Sequence, residues 1–335
     1  MNKETYVQEL ISSVEERAIN SPVSVNWRSG QAMVGAGERN SRSRGFNGYD
    51  LYSVREYQYG DDVRKIDWAA TARTGGQKVF VSQFYEPREV KFFILVDSKL
   101  TMDYGTARTT KRMLAAELAC SILKSARKTN DKVGYIVYDE KGIQARSSRA
   151  KFVQGVQQEA LRSIVEPGVA HLFPQEKAAD GLIDEEAYDS AGNRMSGLQQ
   201  ALAYVRRQSR SLVFVISDFI DLTEVEKEEL EYTAGKHELI AMYVQDRRER
   251  ELPHTWGIYM LEDIRKGNRK AIWLPPKWWP RVANRGVRET YADNFAARRA
   301  ALTDFFKNVG IRLEEFSTEE GVAAQPKLTA LFERR

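Results

Sequence analysis

Apolar runs alternate with segments of helical spacing along the chain from Val90 onward. The first run, VKFFILVD at Val90–Asp97, precedes a segment, Thr106–Lys128, whose apolar residues recur at helical intervals. A run without polar interruptions predicts a strand that is buried on both faces, because a strand with one solvated face alternates apolar and polar residues. Further strands are predicted in DKVGYIVYD, SLVFVISD, HELIAMYV and IRLEEF, with helical segments between them. The alternation predicts an α/β fold: a doubly wound, mostly parallel sheet of the Rossmann type with helices on both sides.

The part of the chain before this alternation has a different pattern. Met1–Asn20 has the pattern of a charged amphipathic helix, and Val23–Glu89 is rich in Gly, Arg, Ser and Tyr with short extended pieces. We therefore predict a first domain over residues 1–89, with an N-terminal helix and a β-rich segment, and an α/β domain over residues 90–335. Within the second domain, residues 166–193 are rich in acidic and small residues, which predicts an insertion or a mobile loop.

Composition narrows the class of protein. The chain has 335 residues, of which 42% are hydrophobic, so it can bury a sizeable core. It has no run of about 18 apolar residues, the length that a membrane span needs, and its first segment is charged, unlike a signal peptide. We therefore expect a cytoplasmic protein without a membrane span. The single cysteine, Cys120, excludes an intrachain disulfide and a cysteine-cluster zinc site, and its helical context predicts a small buried residue.

The charged residues are unevenly distributed, although the net charge is only +4. Arg265–Arg299 contains ten Lys or Arg residues against two acidic ones, with Trp273, Trp278 and Trp279 among them. A basic surface with aromatic rings can stack single-stranded nucleic acid, and it can equally be a solvated face whose tryptophans pack inward or against a protein partner. No nucleic-acid-binding signature accompanies the charge, so we favour the second interpretation and keep nucleic-acid binding as an alternative.

Two of the predicted buried strands end in aspartate. VKFFILVD ends at Asp97 and SLVFVISD at Asp218, so both carboxylates would reach the same edge of the sheet if these strands were neighbours. Thr101 lies four residues beyond Asp97, and Ser196 begins the helix that leads into the Asp218 strand. Carboxylate and hydroxyl oxygens are ligands that Mg²⁺ prefers, which makes this edge a candidate Mg²⁺ site. The alternative is that both aspartates only cap loops or helix starts.

One segment of the chain resembles the signature of a known family. VREYQYGDDVRKIDWAATARTG at Val54–Gly75, with the preceding RGFNGYDL, is similar to the signature of the domain-of-unknown-function fifty-eight family, and the similarity continues through ILVDSKLTMDYG, LVFVISDF and the C-terminal segment. The resemblance implies a von Willebrand factor A-like domain, whose metal-ion-dependent adhesion site is built from Asp-x-Ser-x-Ser, a distant Thr and a distant Asp. It also implies a bacterial-type adaptor or chaperone-like assembly factor that works with a MoxR-type AAA+ ATPase and a client protein.

Carried onto this sequence, the adhesion-site motif departs from the family pattern at one important position. The metal ligands would be Asp97, Thr101, Ser196 and Asp218, while Lys99 stands in place of the first serine. Two like unit charges about 4 Å apart repel by about 4 kcal/mol at an effective dielectric near 20, and a divalent ion roughly doubles this energy. Lys99 either turns inward between the two carboxylates and replaces the ion, or points outward and leaves a weakened site. We favour the metal-free arrangement, with weak Mg²⁺ binding as the alternative.

The family signature itself suggests a structural role. Gly60-Asp61-Asp62 is typical of a turn, and Arg64 and Asp67 are placed to form an ion pair with Trp68 packed beneath it. The alternative is a carboxylate triplet, Asp61, Asp62 and Asp67, that serves a cation-dependent hydrolase. We favour structure, because the sequence shows no nucleophile–base pair or phosphate-binding glycine loop nearby. The residues assigned to this structural role are Arg55, Asp61, Asp62, Arg64, Asp67, Trp68 and Arg73.

The function expected from these patterns is protein binding without catalysis. The chain would act as an adaptor through a degenerate adhesion site, in partnership with a MoxR-type AAA+ ATPase. The two alternatives are the hydrolase centred on Asp61, Asp62 and Asp67, and the nucleic-acid binder that uses the basic stretch.

Overall fold

The computed structural model of the chain describes residues 2–19, 42–45, 50–75, 77–87, 91–106, 109–128, 131–147, 150–152, 155–169, 172, 194–220, 222–252, 257–262, 269–274 and 285–319. Tertiary contacts divide the chain into two compact units. The larger unit contains Met1–Ser24 and Lys91–Leu331, and the smaller unit contains Val25–Val90 and Phe332–Arg335.

The helices and strands are labelled in chain order. The helices are α1 (Lys3–Ile19), α2 (Trp68–Arg73), α3 (Lys111–Lys128), α4 (Gln157–Val169), α5 (Gly197–Arg206), α6 (Glu224–Ala234), α7 (Arg247–Arg250) and α8 (Arg285–Val309). The strands are β1 (Arg42–Gly45), β2 (Asp50–Glu56), β3 (Phe80–Pro87), β4 (Lys91–Asp97), β5 (Lys132–Tyr138), β6 (Ile143–Arg146), β7 (Lys151–Phe152), β8 (Leu212–Ser217), β9 (Glu238–Gln245), β10 (Gly257–Glu262), β11 (Arg269–Leu274) and β12 (Arg312–Ser317). Two 3₁₀ helices span Val63–Lys65 and Leu100–Asp103.

The larger unit is built around a mostly parallel sheet with the strand order β12-β9-β8-β4-β5-β6. The pairs from β12 to β5 are parallel, and β6 and β7 both pair with β5 in the antiparallel sense. The prediction of an α/β fold with a mostly parallel sheet is therefore confirmed. The strands that follow β4 in the chain, β5 and β6, lie on one side of β4 in the sheet. The later strands β8, β9 and β12 lie on its other side. The strand order thus reverses between β4 and β8, which is where open α/β sheets commonly bind ligands.

Burial on both faces explains why the central strands are apolar throughout. In β4 every residue from Phe92 to Val96 is buried, and β8 is buried along its whole length. Phe93 and Leu95 belong to a core cluster with residues of α5, α6 and α8. Helix α3 contacts β4 and β5, and α4 contacts β5 and β6. Each fully buried apolar side chain of this size contributes about 1.5–3 kcal/mol to the stability of the fold, compared with the same side chain exposed to water. The buried Cys120 of α3 fits the small buried residue that its context predicts.

The N-terminal helix packs with the larger unit. Val7, Ile11 and Val14 of α1 recur at helical spacing, and all three are buried, where α1 contacts α3 and α4. An ion pair of 2.7 Å between Lys3 and Glu166 adds to this contact. The sequence-based division placed this helix with the β-rich segment, because its short apolar stripe does not indicate which unit it packs against. The predicted boundary at residue 90 lies next to the start of β4.

The smaller unit contains the β-rich segment that the sequence predicts. Strands β1 and β2 pair with β3 in a three-stranded antiparallel sheet, and α2 packs beside β3. Most of the predicted acidic insertion, residues 173–193, lies outside the described part of the chain. Among the helices that the structure describes, none is long and apolar enough to cross a membrane.

Candidate functional site

The two strand-end aspartates reach the same edge of the sheet. Val96 of β4 pairs with Ile216 of β8, so that Asp97 and Asp218 lie just past the last paired positions of two neighbouring parallel strands. Both carboxylates are buried, with exposed fractions of 0% for Asp97 and 2% for Asp218. This position, at the reversal of strand order, is the candidate functional site.

Asp97 is held by hydrogen bonds to both of its carboxylate oxygens. The backbone N–H of Lys99 donates to Oδ1 over 2.9 Å, and the Ser217 hydroxyl donates to Oδ2 over 2.7 Å. The Lys99 ammonium lies 3.7 Å from the same Oδ2. Burial raises the pKa of Asp97, the Lys99 charge opposes that rise, and the nearby Asp218 charge adds to it. Lys99 therefore acts as a counterion of Asp97. The second side chain that contacts Asp97 is Ser217, which the sequence analysis did not identify.

Asp218 is neutralised by a lysine that the sequence reasoning did not identify. The Lys111 ammonium donates to Asp218 Oδ2 over 2.7 Å and to Glu249 Oε1 over 2.6 Å. The backbone N–H of Ile220 donates to the other Asp218 oxygen over 3.2 Å. Lys111 is completely buried, and we call Lys111, Asp218 and Glu249 the Lys111 triad. One of the two arrangements considered for Lys99 put its ammonium between the two aspartates. In the structure Lys99 lies near Asp97, and the cation hydrogen-bonded to Asp218 comes from α3.

The protonation states of the Lys111 triad follow from burial and mutual attraction. Burial lowers the pKa of Lys111, but the two carboxylates outweigh it and hold that pKa above its ordinary value. Burial likewise acts to raise the pKa of Asp218, and Lys111 outweighs it, so this pKa lies below the ordinary value. At Glu249 burial dominates and raises the pKa, although Lys111 opposes it. The triad is thus a charged network in which one ammonium serves two carboxylates.

Arg112, next to Lys111 in α3, holds the loop that follows β4. Its guanidinium donates to the Ser98 hydroxyl over 2.6 Å and to the Ser98 carbonyl over 3.0 Å. It also forms a two-point ion pair with the Asp103 carboxylate. The backbone N–H of Lys111 donates to the Tyr104 carbonyl over 2.9 Å. These charge-assisted bonds fix the first turn of α3, and with it the lysine ammonium, against the Asp97 loop.

Glu249 is positioned by a second buried carboxylate, Asp246, at the end of β9. Asp246 caps α7 and accepts hydrogen bonds from the Thr106 hydroxyl at 2.5 Å and the Thr318 hydroxyl at 2.6 Å. Glu249 in turn accepts from the Asp246 backbone N–H over 3.2 Å, which completes a capping box. Burial acts to raise the pKa of Asp246, but these hydrogen bonds outweigh it and lower the pKa. The network therefore joins the ends of β9 and β12 to the loop before α3.

The two predicted hydroxyl ligands have different positions. The Thr101 hydroxyl is buried close to Asp218 and lowers the pKa of that carboxyl, but its oxygen has no hydrogen-bond partner of normal geometry among the described residues. Ser196 caps α5 instead, and its hydroxyl donates to Glu226 over 2.7 Å. Of the predicted ligand set, Asp97, Thr101 and Asp218 come together with Lys99, whereas the Ser196 hydroxyl is committed to Glu226.

The arrangement does not fit a divalent cation. Mg²⁺ requires about six oxygen ligands at roughly 2.1 Å, whereas an ammonium occupies hydrogen-bonding distance of Asp218. A divalent ion about 4 Å from that ammonium would be repelled by about 8 kcal/mol at an effective dielectric near 20. Within the described ranges, no group of three or more His, Cys, Asp or Glu side chains is placed to hold a metal ion. Lys99 is the counterion of Asp97, and Lys111 is shared by Asp218 and Glu249.

Phe219, directly after Asp218, has an unusual backbone conformation. Its φ of 44° lies in the left-handed region, which costs about 1–3 kcal/mol for a residue other than glycine. The ring packs edge-on against Phe306 with centroids 5.2 Å apart. The Phe219 N–H donates to the Ser217 hydroxyl over 3.0 Å. Aromatic packing thus stabilises a strained backbone next to the candidate site.

The family-signature motif lies in the smaller unit, and its carboxylates have structural partners. Asp61 forms an ion pair of 2.6 Å with Arg55, and the hydrogen bond from Arg55 lowers the pKa of Asp61. Asp62 caps the 3₁₀ helix Val63–Lys65. Asp67 caps α2, where it accepts from the Ala70 N–H over 2.9 Å. Each of these three carboxylates is therefore held by a helix cap or an ion pair.

Two details of that motif differ from the prediction. No ion pair joins Arg64 to Asp67 in the described part of the chain, because Asp67 is used as a helix cap. Trp68 is not packed beneath such a pair: it is 69% exposed. Arg73 at the other end of α2 is also exposed.

The remaining candidates are only partly described. Residues 265–268 and 275–284 of the basic stretch, including Trp278 and Trp279, lie outside the described residues, and the side chain of Trp273 in β11 does too. The chain has three histidines. His237 is buried with its Nδ1 2.8 Å from the Ser211 hydroxyl, and His171 and His254 lie outside the described residues.

Comparison with known proteins identifies the family. Residues 53–301 match the family described as "Protein of unknown function DUF58". The chain belongs to the DUF58 family. Uncharacterized proteins of Mycobacterium bovis and Mycobacterium tuberculosis are each 29% identical to this DUF58 chain over 270 residues, which is 79% of the chain and 73% of each relative. The resemblance that the signature motif indicates is confirmed at the level of the family.

Solved structures with a detectable likeness to the DUF58 chain are distant. An aerotolerance-related membrane protein from Bacteroides fragilis is 13% identical with a TM-score of 0.40, and the match covers 73% of this chain and 100% of that one. The PilB minor pilin from Streptococcus sanguinis is 9% identical with a TM-score of 0.34, and the match covers 77% of this chain and 64% of that one. The family assignment therefore comes from the sequence match alone.

Proposed function

We propose that this DUF58 protein is a non-enzymatic, cytoplasmic adaptor or assembly factor that works with a MoxR-type AAA+ ATPase. Its larger unit would be a von Willebrand factor A-like domain whose adhesion site has lost its metal ion. The observation that carries the proposal is the Lys111 triad at the carboxyl edge of the sheet. The partner itself is expected from the family resemblance and from nothing else.

The internal lysines favour binding over metal-assisted chemistry. The adhesion site that the resemblance implies uses an ion to organise its loops, and here Lys111 and Lys99 take up the carboxylates that would hold it. Breaking a buried network of this kind costs about 3–5 kcal/mol, so the loops of this edge are organised without any ligand. Leu100, beside this network, is 69% exposed, and a preorganised edge with an exposed apolar residue is suited to a protein partner.

The alternative functions receive less support. In the hydrolase alternative, Asp61, Asp62 and Asp67 would act as acid, base or metal ligands, but each of them is committed to a cap or an ion pair. Nucleic-acid binding would rest on the basic stretch, of which α8 contains Arg285, Arg288, Arg298 and Arg299. Arg299 is paired with Glu315 over 2.5 Å, which reduces the free positive charge of that helix.

Co-expression with a MoxR-type ATPase from the same genome tests the proposal. We expect crosslinking and affinity capture to recover the ATPase with the adaptor. Leu100→Glu should abolish capture, because it places a charge in the apolar part of the proposed surface. Tyr232→Glu is the matched control, since Tyr232 is 72% exposed on α6 and lies outside that surface. Failure to recover the ATPase, or equal loss in both variants, would contradict the proposed surface and partner.

A further inference from the structure

A cavity of about 350 Å³ lies between α8 and the carboxyl ends of β8 and β9. It adjoins the Lys111 triad, because both triad carboxylates, Asp218 and Glu249, line it, whereas Asp97 does not. A volume of this size falls in the range of small-molecule pockets. The cavity belongs entirely to the larger unit.

The deep part of the cavity is acidic, and its mouth is basic. Asp218 is 2% exposed and Tyr243 is 6% exposed, which places them at the floor with Glu249. The two floor carboxylates share the single ammonium of Lys111, so the floor has a net negative charge. Arg298 is an exposed residue of α8 that lines the outer part of the cavity. The electric field therefore favours a positive group inside and a negative group outside.

Two polar side chains of the lining have no partner in the described part of the chain. Tyr243 lines the cavity, and its hydroxyl makes no hydrogen bond to another described residue. Arg298 makes neither a hydrogen bond nor an ion pair there, whereas its neighbour Arg299 is paired with Glu315. Among the described residues, neither group is held by another side chain, so a ligand can bind Tyr243 at the floor end and Arg298 at the outer end of the cavity.

The walls between these ends are aromatic. Phe219 at the floor, and Tyr291 and Phe295 from α8, line the cavity. Aromatic faces attract a guanidinium or ammonium group through their quadrupole, and they also bury aliphatic carbon. A chain of several methylene groups with a cationic end would match these walls.

We propose that this cavity binds a basic amino acid, with its guanidinium or ammonium group at Glu249 and Tyr243 and its carboxylate at Arg298. The amino acid is either free or the C-terminal residue of a peptide, because both present the same cation, aliphatic chain and carboxylate. The proposal does not depend on the ATPase partnership.

Isothermal titration calorimetry with four probes tests the proposal. L-Arginine and N-acetyl-L-arginine carry the carboxylate, whereas agmatine and N-acetyl-L-argininamide lack it. We expect the carboxylate-bearing probes to bind about tenfold more tightly than the probes without a carboxylate, because one additional charge-assisted hydrogen bond changes the affinity by about that factor. Binding of L-arginine alone identifies a free amino acid as the ligand, and binding of both carboxylate-bearing probes identifies a peptide C-terminus. Absence of saturable binding by all four would overturn the proposal.

Two conservative variants assign the ends of the ligand. Arg298→Ala should weaken the carboxylate-bearing probes about tenfold and leave the other two unchanged. Tyr243→Phe should weaken all probes that bind, and an unchanged melting temperature would show that the fold is intact. Arg207→Ala is the matched control, because Arg207 is exposed and does not line the cavity. Binding that is insensitive to Arg298→Ala and Tyr243→Phe, or that is tightened by Arg298→Ala, would place the ligand elsewhere and refute the assignment.

Discussion

Lys111→Met tests the central feature of the candidate site. The substitution removes one buried ammonium and retains an unbranched side chain that can fill the same space. It leaves the carboxylates of Asp218 and Glu249 facing each other without the cation that now lies between them. The expected result is a large loss of stability, since two like charges then share a buried site.

The distances in the Lys111 triad give the magnitude. Each carboxylate has an oxygen within 2.7 Å of the Lys111 nitrogen, so these two oxygens lie roughly 5 Å apart or less. Two unit charges at about 5 Å repel by about 3 kcal/mol at an effective dielectric near 20. This agrees with the loss of about 3–5 kcal/mol for removing one partner of a buried pair. We therefore expect the free energy of unfolding to fall by about 3 kcal/mol.

Urea unfolding near neutral pH, followed by circular dichroism, measures this loss. Lys124→Met is the matched control: Lys124 lies on the same helix and donates to the Glu15 carbonyl over 2.7 Å, a bond that contributes about 1 kcal/mol. The cost of Lys111→Met should also decrease as the pH falls. In the variant the shared site raises the pKa of one carboxyl above its unfolded value, so protonation relieves the repulsion below that pKa.

Magnesium provides a second measurement on the same variants. The unmodified protein should show no rise in melting temperature with Mg²⁺, because a ligand that does not bind the native state cannot stabilise it. Lys111→Met should gain a Mg²⁺ response, since Asp218, Glu249 and the Thr101 hydroxyl then present oxygens without an ammonium. Lys99→Ser alone should not gain one, because Lys111 still occupies Asp218. Equal costs for Lys111→Met and Lys124→Met, or a clear Mg²⁺ response of the unmodified protein, would refute the reasoning.

Two further substitutions test the packing around the sheet. Burial lowers the pKa of His237 to about 4. The protein should therefore lose about 2 kcal/mol of stability as the pH falls from about 7 to about 4.5, because only the unfolded chain binds a proton at this histidine in that range. Chemical unfolding across this range should show the loss, and His237→Gln should remove it. Gly197→Ala should cost about 1–3 kcal/mol, because the added Cβ would lie 2.2 Å from the Asp139 carbonyl oxygen. Gly235→Ala, whose nearest atom would be 3.4 Å away, is its control and should be close to neutral in the same thermal unfolding assay.

The pattern of apolar residues along the chain was sufficient to predict the sheet and the position of the two aspartates, Asp97 and Asp218, in the candidate site. A strand such as Phe92–Val96, buried on both faces, must be apolar at every position, so its sequence identifies both the strand and its parallel context. The aspartates that end β4 and β8 follow from the same pattern, because parallel neighbours bring their carboxyl ends to one edge. The prediction that Asp97 and Asp218 converge therefore needed only the order of the strands.

The positions of Lys111 and Glu249 in the site could not be predicted, because no feature of the neighbouring sequence distinguishes these two residues. Lys111 begins an amphipathic helix, where a lysine is ordinarily solvated, and its partners are separated from it by 107 and 138 residues. Glu249 has the pattern of an ordinary capping-box residue. Lys99 stood out only because it departs from a family motif, and no feature of the local sequence indicated that Lys111 is the counterion of Asp218.

The difference between these two lysines determines how the carboxyl edge is held together. Lys99 lies two residues from its partner Asp97, so their ion pair can stabilise only the turn after β4. Lys111 joins the start of α3 to the end of β8 and to α7, and Asp246 extends this network to the loop before α3 and the end of β12. Links of such long sequence separation restrict the relative positions of these chain segments. The edge should consequently have one conformation before a partner binds, and the affinity for that partner should not include a cost for ordering these loops.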